Sequence, residues 1–176
     1  MNGLERLRAL LRDGGGMMAT LLAPNDDGPI ACAESPARLA AEGPRAAGRR
    51  EEYELLVEAI YEGYLLHYGT PRVVLVPDAD LGLLAGDRLY AMGLARLVAL
   101  GDNEAVLELA DTITLSALAQ GAGELDLAEA VWTAGARAVG WGSSELHSQA
   151  KDLVYAGDRR AMEAMRTSAL AVPAAP

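Results

Sequence analysis

Residues 83–124 read LLAGDRLYAMGLARLVALGDNEAVLELADTITLSALAQGAGE, and this stretch decides the fold. Two apolar runs, each long enough for several helical turns, flank a short Leu100-Gly101-Asp102-Asn103 break. In the second run Val106, Leu109, Ala110, Ile113 and Ala117 recur at helical spacing and predict one apolar stripe over 103–120. The first run predicts a helix over 80–100 that is apolar almost all round (Leu81, Leu84, Leu89, Tyr90, Leu94, Leu97, Val98), the pattern of a central helix. Gly101 stops the first helix, and Asp102 or Asn103 caps the second.

Upstream, a long helix is predicted from Arg49 to His67 or Tyr68, stopped by Gly69-Thr70-Pro71. Asp78 or Asp80 is placed to cap the helix that follows. Downstream, the pattern predicts a helix over 124–139 and one or two more over 144–168, with Asp158 as a cap. At the N-terminus, GLERLRALLRD (3–13) is a short amphipathic helix ended by Gly14-Gly15-Gly16, with a further turn over 17–22. Residues 23–48 are rich in Pro, Gly, Ala and Asp and predict a flexible linker holding a short helix at 34–42. Only Val73-Val74-Leu75-Val76 has strand character. The expectation is an all-α helical bundle over 49–170, preceded by a helix and linker (1–48) and followed by a loose tail (171–176).

Composition narrows the function classes. The chain has 176 residues, 51% of them hydrophobic, and no phenylalanine, so its core is built from Leu, Ala, Val and Met. The net charge of −10 and the scatter of the arginines argue against nucleic-acid binding, which needs clustered cations. Cys32 is the only cysteine, which excludes an intrachain disulfide and a cysteine-based metal site. No apolar run reaches the length of a membrane span, so the expected location is the cytoplasm, with peripheral membrane contact left open.

Few residues suggest chemistry, and each has a structural alternative. His67 could transfer protons near neutrality, yet a helix C-terminus also favours a histidine cation. Asp78 and Asp80 could hold a hard cation, but they flank Pro77 where capping suffices. Asp26-Asp27 reads as a turn pair. Gly86 inside a helix costs about 1 kcal/mol relative to alanine, which implies a close helix approach. Asp87 beside it needs a partner, with Arg88, Arg96, Arg72 or a backbone amide as candidates. Gly14-Gly15-Gly16 lacks the strand and the Lys-Ser/Thr of a phosphate loop, and Gly140-Trp141-Gly142-Ser143-Ser144 lacks the strand of a nucleophile elbow. Trp132 and Trp141 read as packing anchors.

The Leu65-Leu66-His67 helix end, the Leu83-Leu84-Ala85-Gly86-Asp87 helix, the Leu100-Gly101-Asp102 turn and the Gly123-Glu124 ending together resemble trans-isoprenyl (polyprenyl) diphosphate synthases over about seventy residues. In that family an aspartate-rich Mg²⁺ motif follows Leu-Leu-His. Here Tyr68-Gly69 follows, no Asp-Asp-x-x-Asp occurs anywhere, and Arg72 is the only cation in the corresponding loop. The chain is most similar to the small, non-catalytic subunit of heterodimeric heptaprenyl diphosphate synthases. The resemblance implies a truncated isoprenoid-synthase-like bundle with no catalytic or metal-ligating residue of its own. Mg²⁺ would come only through a catalytic partner subunit, although self-association is a further option. Leu84, Ala85, Gly86, Asp87, Tyr90, Gly93 and Leu94 would line or buttress a prenyl tunnel, with the small residues leaving room for the lipid.

Two other readings compete. A helical adaptor unrelated to prenyl transfer would have a solid core and an exposed groove in place of a tunnel. An enzyme of another class would need His67, Asp78 and Asp80 to converge in one cleft.

Overall fold

The computed structural model describes residues 1–24 and 35–171. Within them the protein is an all-α bundle. The helices are α1 (Gly3–Gly14), α2 (Gly16–Thr20), α3 (Pro36–Glu42), α4 (Arg50–Tyr68), α5 (Ala79–Ala99), α6 (Asn103–Gly121), α7 (Leu125–Trp141), α8 (Glu145–Tyr155) and α9 (Ala161–Leu170). A 3₁₀ turn (Pro44–Ala46) follows α3.

Local chemistry sets the boundaries. Asn2 and Glu5 form a reciprocal capping box at α1, with both bonds at 2.9 Å. Gly15 and Gly16 then take φ of 64° and 66°, which only glycine adopts without strain. Ser35 caps α3 just before Pro36 at its first position. Asp78 caps α5 through Leu81 N–H at 2.8 Å, and Asp102 caps α6 through Ala105 N–H at 3.0 Å. Asp158 accepts from Arg160 N–H in the turn before α9, but the cap position itself is Arg160, so the expected cap sits two residues early.

α4 packs along α5, and α6 packs along α7. α3 wedges between α4 and α7, while α8 and α9 form a hairpin closed over α7. The largest apolar cluster joins Ala37, Ala40 and Ala46 to Leu56, Ile60, Leu97, Leu109, Trp132 and Val139. A second cluster lies under the α8–α9 hairpin, and a third joins α1 to α4 and α5.

Three expectations change. First, residues 35–48 are not a flexible linker: Ala37, Ala40 and Ala46 are fully buried between α4 and α7. Their small side chains are what let α3 lie close, and a composition rich in alanine and proline hides that role. Second, residues 1–24, whose packing the sequence leaves open, lie against the bundle through Leu4, Leu7 and Leu11. Third, α5 is not central. Only one face of it (Gly82, Ala85, Gly86, Leu89, Gly93, Leu97) is buried, and the other is exposed and mixes Leu83, Leu84 and Val98 with Asp80, Asp87, Arg88 and Arg96. The buried centre belongs to α4 and α7. On α6 the buried face is Ala105, Glu108, Leu109, Thr112, Leu115, Ser116 and Ala119, so Val106 and Ile113 sit at its margin. The strand-like Val73–Val76 makes one antiparallel bridge, Leu22 to Val74, flanked by bonds of 2.7 and 2.9 Å. Asp26, Asp27 and Cys32 lie outside the described residues.

Candidate functional site

The seam between α4 and α5 is built by glycine. A methyl group at Gly86 would meet His67 Cδ2 at 2.3 Å and Gly63 O at 2.9 Å. One at Gly93 would meet Ile60 Cγ1 at 2.4 Å, and one at Gly63 would meet Gly86 O at 2.9 Å. The close approach expected at Gly86 is therefore real, and its occupant is the His67 ring. The room expected beside Gly86 and Gly93 for a lipid is already filled by His67 and Ile60. Ala85 is fully buried in the cluster that holds α1, and Leu84 points outward at 63% exposure. These residues do not share the wall of one tunnel.

His67 Nε2 lies 3.2 Å from Leu83 O and 3.4 Å from Asp87 Oδ1. The partner of Asp87 is thus His67, not Arg88, Arg96 or Arg72, and Asp87 is an exposed acid. Asp78 and Asp80 lie at the start of α5 and are both exposed. Asp78 is used as a cap, and His67 does not join the pair in a cleft.

Below the seam an aromatic layer spans the gap between α4 and α7. Tyr61 meets Trp132 edge-on at 4.9 Å, Tyr64 meets Trp132 at 5.2 Å and Tyr68 at 5.4 Å, and Tyr90 meets His67 at 5.2 Å. Large rings fill the space where small residues would leave a void. Gln120 of α6 donates to Tyr64 Oη at 2.7 Å. Tyr90 Oη and Trp132 Nε1 are buried without a hydrogen-bond partner among the described residues. Burial is the main reason that the Tyr90 phenol is pushed up from its ordinary range. Leu94 sits half-buried at the edge of this core.

The most demanding electrostatics join Arg72, a candidate from the sequence, to glutamates that the sequence did not flag. Glu58 and Glu62, one turn apart on α4, are buried carboxylates at 2% and 0% exposure. Arg72 serves both, at 2.6 Å to Glu58 and 3.3 Å to Glu62. Glu62 Oε1 also accepts from the backbone N–H of Arg72, Val73 and Val74, at 2.7, 2.6 and 3.2 Å. Glu58 accepts from Ser35 Oγ at 2.6 Å. The α4–α5 loop is therefore clamped onto α4, and Arg72 also lies over the Tyr61 ring. Two glutamates four apart in an apolar helix, followed by an arginine in the next loop, are the only sequence trace of this clamp.

A second buried network joins α6, α8 and α9. His147 Nε2 lies 2.6 Å from Glu108 Oε1, and its Nδ1 lies 3.2 Å from Ser168 Oγ. Lys151 bonds Glu108 at 3.1 Å and Asp111 at 2.7 Å. Burial works against the Glu108 charge, but the His147 and Lys151 contacts outweigh it and hold the carboxyl below its ordinary range. At the other end of α6, Asp102 bonds Tyr53 Oη and, at 2.8 Å, Arg45. Burial, then the Asp102 contact, pushes the Tyr53 phenol up to about 12. Both networks tie helices together, although Arg45 Nε is buried without a hydrogen-bond partner among the described residues. Trp141 is covered by the Arg137 guanidinium at 3.8 Å.

What stays unpartnered is apolar. Leu83, Leu84 and Val98 on α5 are 48%, 63% and 55% exposed, and Leu107 and Leu118 on α6 are 66% and 47% exposed. The two helices share the largest apolar cluster through Leu97, Ala105 and Leu109, while Ala85 and Leu89 of α5 and Leu115 and Ala119 of α6 enter separate clusters. Surface clefts formed by described residues run between α3 and α7, between α7 and α9, beside the α6–α8 network and at the turn before α9. No α5 residue lines any of these four. Among the described residues no three His, Cys, Asp or Glu side chains group as a metal site, and no helix is long and apolar enough to cross a membrane. Set against family models, curated proteins and solved structures, the chain matches none.

Proposed function

We propose that this protein is a helical pairing subunit, acting in the cytoplasm by docking another protein chain on the outer face of α5 and α6. The observation that carries the reading is the run of exposed Leu83, Leu84, Val98, Leu107 and Leu118 on two adjoining helices. Contiguous exposed apolar surface marks interaction sites. The supporting observation is that the buried titratable groups are committed to one another: Arg72 to Glu58 and Glu62, and His147 to Glu108.

The sequence resemblance names the partner as a catalytic polyprenyl diphosphate synthase, which would bring its own Mg²⁺. In that pairing the outer leucines of α5 would abut the partner, while Gly86 and Gly93 keep α4 and α5 together. The competing reading is an adaptor with no prenyl connection. The filled seam at Gly86 and Gly93 favours it, because that seam offers a lipid no room. Affinity capture of the tagged chain from its native extract separates the two. Recovery of an Asp-Asp-x-x-Asp synthase by the wild type, and not by Leu84→Glu, supports the prenyl reading. Recovery of other proteins with that synthase expressed but absent sinks it and leaves the adaptor.

A further inference from the structure

Helix α8 has little apolar hold on the bundle. It buries His147, Ala150 and Val154, and the two apolar ones are small. Its docking therefore leans on polar contacts, and these converge on one carboxylate of α6. Glu108 Oε1 lies 2.6 Å from His147 Nε2, and Glu108 Oε2 accepts from Lys151 Nζ at 3.1 Å. His147 and Lys151 sit one turn apart on α8, and Glu108 is 7% exposed. Such charge-assisted bonds are strong while the acceptor is ionised and weaken when it takes a proton.

The other groups around Glu108 offer no substitute. Asp111, also on α6, serves Lys151 at 2.7 Å and is 30% exposed. Among the described residues no second acid bonds His147, whose Nδ1 faces the neutral Ser168 Oγ of α9 at 3.2 Å. A cleft of about 410 Å³ opens beside the network, lined by Glu108 and Lys151 and by Arg45, Glu104, Ala138 and Ser148. Arg45 and Glu104 pair with each other, and Ala138, from α7, carries no charge. Protons from solvent thus reach Glu108 without unfolding.

In acid an imidazole and an ammonium are both cations. Once Glu108 is protonated, α8 presses two positive side chains into a site that has lost its buried anion, and a buried unpaired charge is costly. Undocking α8 returns both to water. The sign follows from the folded carboxyl: burial raises it, but the His147 and Lys151 contacts hold it below its ordinary range. The hold is therefore complete above the unfolded carboxylate's range and is lost as pH falls through the folded value. The largest apolar cluster, by contrast, closes over Leu56, Ile60, Leu97, Leu109 and Trp132, which do not titrate. Helix α9 keeps its own contact with α7 and buries Ala161 and Met165.

We infer that α8 is a latch, held shut by Glu108 and released by acid ahead of the other helices, which uncovers the apolar cluster of Leu115, Leu127, Val131 and Met165 that it helps to close. An element with few buried apolar contacts opens locally at a lower cost than the whole fold.

The test is amide NMR of the isotope-labelled full chain, titrated from neutral pH downward. Signals of 145–155 are expected to collapse to unfolded positions at a pH where those of α4 and α7 are still native. Glu108→Gln is expected to move that step to higher pH, since a neutral amide gives the cations of α8 no anion at any pH. Glu163→Gln, at an exposed acid of α9, is expected to leave it in place. Loss of all three helices together overturns the inference, as does an α8 step that Glu108→Gln leaves where it was or that Glu163→Gln moves as far. The wild-type titration decides even where Glu108→Gln does not fold. The readout needs no partner chain, so it stands or falls apart from the pairing proposal.

Discussion

Gly86 shows how a single residue sets a helix pair. Alanine there would gain about 1 kcal/mol of helix propensity. Its methyl would also collide with the His67 ring and with Gly63 O, a backbone atom that cannot swing away. The ring is pinned by contacts to Leu83 O and Asp87, so the clash wins. Gly86→Ala is expected to lose about 1–2 kcal/mol in urea unfolding, since overpacking costs more than propensity returns. Arg72 is a harsher case. Arg72→Met strands two buried carboxylates, and breaking one side of such a cluster costs about 3–5 kcal/mol. A loss under about 1 kcal/mol would mean that the carboxylates are solvated and the clamp is not buried in solution. Tyr90→Phe points the other way. Its hydroxyl is buried without a partner, so its removal is expected to be neutral or stabilising. The glycine was legible in the sequence because a glycine inside a helix demands a packing reason. The clamp was not, because Glu58 and Glu62 lie on α4 while their cation arrives from a loop folded back over it.

Among the elements, α6 and its cap carry two carboxylates whose protonation is tied to folding. Glu108 and Asp102 are both held below their ordinary carboxylate values, by the His147 and Lys151 contacts and by the Tyr53, Ala105 and Arg45 contacts respectively, against the pull of burial. A depressed folded-state value means that the unfolded chain binds protons more readily. The stabilisation is therefore present above about pH 4.5, the unfolded range of a carboxylate, and is lost as pH falls through the folded values. Tyr53 has the opposite sign: raised to about 12, it contributes stability that is lost as pH climbs from the phenol's usual 10 toward that value. Acid unfolding followed by circular dichroism is expected to flatten in Glu108→Gln relative to wild type. An unchanged acid limb would place the sensitivity elsewhere. Helix existence and most boundaries at this scale were readable, because periodicity and the Asp78 and Asp102 caps are local signals. The position of α5 was not. A helix apolar all round reads as central whether its second face meets the core or a partner, and the sequence alone carries no mark of which.

For the molecule as a whole, the open question at sequence level was where the folding unit begins. A bundle over 49–170, with a linker before it, is what composition predicts. The structure instead sets Leu4, Leu7 and Leu11 against Ala59, Ala85 and Leu89, and sets α3 between α4 and α7. Arg6 reinforces the first contact through Glu54 at 3.1 Å, and Ser35 completes the bonding of buried Glu58. Removing residues 1–48 would expose those apolar faces and leave Glu58 one donor short. Three buried leucines at about 1.5–3 kcal/mol each already approach the stability of a whole domain, before α3 is counted. A fragment comprising 49–170 is therefore expected to lack cooperative unfolding and to bind a hydrophobic dye, while the full chain melts in one transition. A fragment that unfolds cooperatively within about 1 kcal/mol of the full chain would show that α1 and α3 are accessories. It would also return the bundle to the boundary that composition suggested. The opposite result makes the N-terminal leucines part of what holds the α4–α5 pair together, and with it the face that α5 presents outward.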